Sequence, residues 1–314
     1  MELFLQRIFD GLFNGAIYSS LAVAIVITFR TTGILNFAQG ELATFSAYIA
    51  LLLLNPGSSS LTGSGLVSDL IPGTPWPVPL AILGAVVAGA AAGAFVERVV
   101  IRPLARAPDL SVVNVTIGLL IVINAVVVET WGLRGYLLES PFPTEADDYL
   151  GIGGARLRLE TLGVWATLLV VLALLGLMLR RTRLGLAFRA ATTNAESAEL
   201  CGIPLGRTRF AGWVIAGALG ALAATLVAHS VVLEPFMMIR LLIFSFAAAT
   251  IGGLDSPGGA VAGGIVIGLA QSLVPGYVPG IGSEVSLVPA VAAMLLVLLI
   301  RPTGLFGTRR VSRV

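Results

Sequence analysis

The sequence predicts an all-α fold, a polytopic transmembrane helical bundle of about eight to ten spans with broken or re-entrant helices among them. Three observations carry this. The 314 residues are 57% hydrophobic and 11% charged, whereas a soluble globule is covered by about 25% charged residues. Mean hydropathy is +0.97. Apolar runs of about twenty residues recur from end to end, each able to cross a hydrocarbon core of about 30 Å at about 1.5 Å per residue. Their apolarity is continuous rather than alternating, which excludes a closed β-barrel. The whole chain, 1–314, reads as one transmembrane domain.

Nine apolar segments follow in order. The N-terminal "MELFLQRIFD" lacks the basic start and small-residue cleavage site of a secretory signal, so it is expected to be retained. The first segment, Gly11–Phe29, carries Asn14 and Tyr18 one helical turn apart. The second, Gly33–Leu54, opens on "GILNFAQGEL". In a helix, Asn36, Gln39, Gly40 and Ala43 fall on one face, and Glu41 points elsewhere, towards the positive end of the helix dipole. Intramembrane polar groups need a partner or a wet cavity. That stripe therefore either lines a path for solute or joins helices through amide hydrogen bonds. The third segment, Val78–Val96, contains "GAAAG", and the fourth, Ser111–Thr130, contains Asn114, Thr116 and Asn124. Leu162–Leu179 and Phe210–Ala228 are ordinary spans. Leu241–Leu254 is short and runs into "ATIGGLDSPGGAVAGG", a Gly-rich interruption that is the later counterpart of "TTGILNFAQGE". Asp255 there suits a turn. Gly259–Val274 and Val285–Ile300 complete the set. Glycines four apart (Gly89 and Gly93, Gly259 and Gly263, Gly264 and Gly268) are expected to let helix backbones approach closely.

Arginine placement sets the expected orientation, because basic residues are kept on the cytoplasmic side. Arg30, the loop with Arg98, Arg102 and Arg106, the segment Arg180–Arg209 and the tail from Arg301 hold fourteen of the nineteen arginines. With alternating spans these fall on one side, which places the C-terminus in the cytoplasm. The loops at about 55–77 and 131–161 are then external, and the loop at about 180–209 is cytoplasmic.

Several chemistries are excluded. The chain has no lysine, so it carries no GxxxxGK[ST] phosphate loop and no standard ATPase site. One cysteine and one histidine leave no internal disulfide and little for a metal site. Neither HExxH nor GxSxG occurs. Glu41 is the one acidic residue placed well inside a span, and it is what an ion-coupled secondary transporter or channel, the rival reading, would use.

One stretch breaks the apolar pattern: "RAATTNAESAELCGIPLGRTRF", Arg189–Phe210. Asn194 or Thr193 can cap a helix of good formers, and Gly202-Ile203-Pro204 stops it. The product is a short amphipathic helix offering Ala198 and Leu200. So short a helix is marginal in water and needs docking, either to a partner or to lipid headgroups through the neighbouring arginines.

Within this stretch "AESAELCG" has the E-x-A-x-x-x-G spacing of the cytoplasmic loop of ABC importer permeases. Together with "GLFNGAIYSSLAVAIVITFRTTGILNFAQGEL", "RLGLAFRAATTNAESAELCGIP", "IGGLDSPGGAVAGGIVIGLAQSL" and the closing "RPTGLFG", in that order, it makes the chain resemble permeases of the branched-chain (hydrophobic) amino-acid uptake family. Family members often carry His where Gln39 stands; both side chains form hydrogen bonds. The resemblance implies a multi-pass subunit of a bacterial-type plasma membrane that is not itself an enzyme and holds no cofactor. A second permease, similar or identical, would pair with it. Two cytoplasmic ATPase subunits would bind ATP and Mg, and an extracytoplasmic solute-binding protein would deliver the cargo. It further implies that Arg189, Glu196, Ala198, Gly202 and Ile203 couple to the ATPases. Asn14, Tyr18, Asn36, Gln39, Gly40 and Asn124 would line or shape the pathway. An apolar pore suits a zwitterion with an aliphatic side chain, although this permease type also resembles subunits that move amides or urea.

Overall fold

The computed structural model describes residues 2–56, 74–104, 107–145, 147–278 and 287–307. In chain order its helices are α1 (Glu2–Thr32), α2 (Gln39–Leu54), α3 (Val78–Val96), α4 (Asp109–Trp131), α5 (Leu159–Arg181), α6 (Arg183–Thr193), α7 (Ala195–Leu200), α8 (Leu205–Val227), α9 (Met237–Gly252), α10 (Pro257–Tyr277) and α11 (Leu287–Ile300). A π-turn, Glu97–Ile101, and a 3-10 turn, Arg102–Leu104, extend α3. Among the described residues six helices are long and apolar enough to cross a membrane, while α2, α9 and α11 are apolar but shorter. All nine predicted segments are therefore helices; the one expected to be short, Leu241–Leu254, is short, and α2 and α11 are short as well. Most of the loop at about 55–77 lies outside the described residues.

Boundaries move where local chemistry dictates. The chain leaves α1 at Gly33, whose φ of +74° favours glycine. Asn36 Oδ1 then accepts from the Ala38 N–H at 3.1 Å, a local turn that delays α2 until Gln39. The loop at about 131–161 adds a small β element to the all-α expectation. β1 (Tyr149–Ile152) pairs antiparallel with β2 (Ala155–Arg158), with Ile152 opposite Ala155. Gly153 and Gly154, at φ +60° and +85°, make the two-residue turn that matches strand twist.

The chain divides into two compact units. The first comprises 1–26, 142–182 and 242–314. In it α1 lies against α10, glycine on glycine. A methyl on Gly11 would fall 3.0 Å from Leu269 Cα, and one on Gly15 would fall 3.1 Å from Gly264 O. Arg7 Nη1 donates to Ser272 O at 3.0 Å, and Ser272 Oγ donates to Arg7 O at 2.6 Å. The β-hairpin is tied to α1 where the Arg156 N–H donates to Gln6 Oε1. The closing "RPTGLFG" folds back onto the "IGGLDSPGG" turn: Leu305 N–H bonds Ile251 O at 2.7 Å and Phe306 N–H bonds Gly252 O at 3.1 Å. Asp255 lies in that turn, and Ser256 caps α10 by accepting the Gly259 N–H at 3.0 Å.

The second unit comprises 27–141 and 183–241. Its core is α2, α3 and α8, with α4 against α2. The predicted close approach of "GAAAG" is realised on α8, where a methyl on Gly89 would fall 2.6 Å from both Gly217 O and Ala221 Cβ. At the far end of α2, the Tyr48 ring packs on Trp131 at 4.8 Å between centroids.

Candidate functional site

The polar residues of "GILNFAQGEL" are buried in the second unit. Asn36 and Gln39 are each 1% exposed. Asn36 precedes α2 rather than lying on it, so the expected four-residue stripe of one helix is corrected: the turn at Ala38, not helical spacing, brings Asn36 to Gln39. Asn36 Nδ2 donates to Gln39 Oε1 at 3.2 Å, and Gln39 Nε2 donates to Ala216 O on α8 at 2.9 Å. Gly220, one turn from Ala216, leaves room for that amide, since a methyl there would meet Gln39 Nε2 at 2.5 Å. Gly40 is buried beside them, and its carbonyl accepts from Thr44 Oγ1. In this arrangement both amides bridge a loop and two helices.

Glu41, in the first turn of α2, is 1% exposed and has a partner. Asn124 Nδ2 on α4 donates to Glu41 Oε2 at 3.1 Å and to Pro235 O at 2.8 Å. Asn124 thus joins the acidic residue of α2 to the segment before α9. Spacing alone did not reveal this pairing. A useful signal is that a lone acid and a lone amide deep in separate apolar segments each need a partner. Thr116 accepts the Phe37 N–H at 3.4 Å and so steadies the same loop.

Asn14 and Tyr18 belong to the first unit. Tyr18 Oη donates to Gln271 Oε1 on α10, and its ring stacks on Phe244 at 4.9 Å. Asn14 is partly exposed. Gln271, in "GLAQSL", is a polar span residue missed from sequence.

The amphipathic stretch is two helices rather than one, α6 followed by α7. Asn194 caps α7, its Oδ1 accepting the Ser197 N–H at 2.9 Å. The helix ends in a Schellman motif: Ile203 N–H bonds Ala198 O at 3.0 Å, Gly202 N–H bonds Glu199 O at 2.9 Å, and Gly202 takes φ +82°. The exposure expected of Ala198 is corrected. It is 5% exposed, tucked under the helix, while Leu200 is 85% exposed. Arg189 is exposed on α6, Ile203 is partly buried, and Cys201 is an exposed free thiol. Glu196 lies on α7, and its side chain is outside the described residues.

These features define a class: a multi-pass helical membrane protein with buried amide bridges between helices and a pair of short helices, the second capped at both ends, outside the spans. The chain belongs to the family described as the branched-chain amino acid transport system permease component, which matches residues 7–300. It is 28% identical over 318 residues to the high-affinity branched-chain amino acid transport system permease protein LivH of Escherichia coli K12, covering 99% of this chain and 98% of that one. It is 29% identical to the corresponding permease BraD of Pseudomonas aeruginosa, again over 99% of this chain and 98% of that one. The fold resembles that of PsaBC from Streptococcus pneumoniae, solved in complex with Fab, with TM-score 0.50, 12% identity and coverage of 96% of this chain and 92% of that one. The chain is accordingly an ABC importer permease, a transport subunit rather than an enzyme, working with ATPase and solute-binding partners in general.

Proposed function

We propose that this chain carries branched-chain amino acids inward as one of two permease subunits, similar or identical. Two cytoplasmic ATPase subunits hold the ATP and Mg, and an extracytoplasmic binding protein delivers the solute. The names of the LivH and BraD relatives support the cargo. The absence of lysine, hence of a phosphate loop, supports delegation of ATP hydrolysis. The arginine distribution supports a cytoplasmic C-terminus and a cytoplasmic α6–α7 pair. Arg189, Glu196, Ala198, Gly202 and Ile203 form or shape the coupling element. Asn14, Tyr18, Asn36, Gln39, Gly40 and Asn124 shape the pathway by holding its helices in register. ATP-driven movement of α6–α7 then favours one of two packings of the bundle, and a difference in partner affinity between the two is sufficient.

The observation that carries this reading is Leu200, a large apolar side chain left 85% exposed on a six-residue helix capped at both ends. A rigid knob of this kind suits a groove on a partner protein. The test is ATP-driven leucine uptake by the complete complex in proteoliposomes. Leu200→Asp should lower uptake at least about tenfold, the scale of losing a buried interface anchor, with the permease still inserted. Wild-type uptake by this variant would remove the coupling role. Uptake of urea or an amide in place of leucine by the unmodified complex would overturn the cargo.

A further inference from the structure

The α3–α8 seam of the second unit advances by four residues on each helix. A methyl on Gly89 would fall 2.6 Å from Gly217 O, and one on Gly93 would strike Trp213 O. One step further, Glu97 on the π-turn stands opposite Arg209 on α8, with Oε1 and Nε 3.7 Å apart. Residue numbers rise along α3 as they fall along α8, so the helices are antiparallel and the charge pair is the next rung towards α7. The first two rungs are backbone against backbone and need no charge. The third is built differently. Glu97 is 1% exposed, and among the described residues neither of its carboxyl oxygens nor Arg209 Nε has a hydrogen-bond partner. Coulomb attraction alone acts across that gap, which is too wide for a hydrogen bond.

Such a contact is a poor fastener. Apolar side chains of similar volume often hold a buried position as well as an ion pair does, or better, the more so when the pair leaves its hydrogen bonds unmade. What charge adds is reach. Van der Waals attraction loses a quarter to a half of its strength over a gap of about 0.5–1 Å, whereas attraction between charges falls only as the inverse of distance. The location of the pair matters as well. Arg209 stands near the start of α8, which follows the capped helix α7 through the stop at Gly202-Ile203-Pro204. Glu97 opens a π-turn, an irregularity that recurs at functional sites in helices. We propose that Glu97 and Arg209 are a positioning pair for transport. The pair closes to hydrogen-bond distance when movement of α7 brings the start of α8 towards α3, and it reopens on the return, so that α3 follows the coupling helices. This rests on the coupling role proposed above for α6–α7.

The test is leucine carried per ATP hydrolysed by the complete complex in proteoliposomes, with the melting temperature of each variant measured alongside. Arg209→Gln alone would strand the buried Glu97, so the informative variants remove both charges together. Glu97→Leu/Arg209→Met exchanges the pair for apolar side chains of similar size and should melt no lower than wild type. Its leucine per ATP should nevertheless fall at least about fivefold, the low end of ordinary coupling between sites. Glu97→Gln/Arg209→Gln, polar but uncharged, should show a similar loss. Arg98→Gln removes an exposed charge from the same π-turn and should keep the wild-type ratio. A wild-type ratio in either folded double variant overturns the proposal, because a pair that merely fastens α3 to α8 can be replaced without effect on coupling. So does an equal loss in Arg98→Gln, which assigns the effect to surface charge. Intact uptake in Leu200→Asp overturns the coupling role itself and this inference with it. Uptake lost in Leu200→Asp but a ratio kept in the double variants overturns the charge pair alone.

Discussion

Asn124 makes two hydrogen bonds with one amide nitrogen, to Glu41 Oε2 and Pro235 O. Replacing it with leucine leaves the buried Glu41 without its donor, and a buried group stripped of its partner costs about 1–3 kcal/mol. Asn124→Leu should therefore lower the melting temperature of the purified permease. Glu41→Gln keeps an oxygen for Asn124 to donate to and should leave ATP-driven leucine uptake within about twofold, a change of only about 0.4 kcal/mol on a scale where about 1.4 kcal/mol is tenfold. Abolished uptake in Glu41→Gln, with the protein still folded, would revive an ion-coupled carrier. The presence of a buried acid in α2 is legible from sequence, as is its need for a partner. Its choice of Asn124 over Asn114 is not, because both stand in one apolar segment, ten positions apart.

Helix contacts in lipid depend on van der Waals approach, and the α3–α8 seam shows how little room such contacts leave. Gly89→Val would place carbon 2.6 Å from Gly217 O and Ala221 Cβ, so the helices must separate. Overpacking of this kind costs about 1–3 kcal/mol. Gly118 on α4 has nothing within 4 Å of an added methyl. Gly118→Ala should be neutral or stabilising by up to about 1 kcal/mol through helix propensity. Thermal unfolding of the two variants in one detergent separates packing glycines from merely permitted ones, and equal melting temperatures would refute the seam. The glycine spacing in "GAAAG" announces that α3 has a close partner. It does not name α8, because α10 offers glycines at the same spacing.

The orientation of the whole chain has a direct readout in Cys201, its one cysteine, which is exposed after α7. A membrane-impermeant maleimide should fail to label it in intact cells and should label it in inverted vesicles; labelling from outside would remove α6–α7 from the cytoplasm. The sequence alone determined the nine apolar segments, a cap at Thr193 or Asn194 and the stop at Gly202, because hydropathy, cap chemistry and positive φ depend on residues a few positions apart. Tertiary structure alone decided which polar groups meet. Gln39 reaches a carbonyl 177 positions away, and Tyr18 an amide 253 positions away. It also turned Ala198 inward. Such pairings follow from which helix faces dock and at what depth, and many apolar faces of similar hydrophobicity compete for that docking.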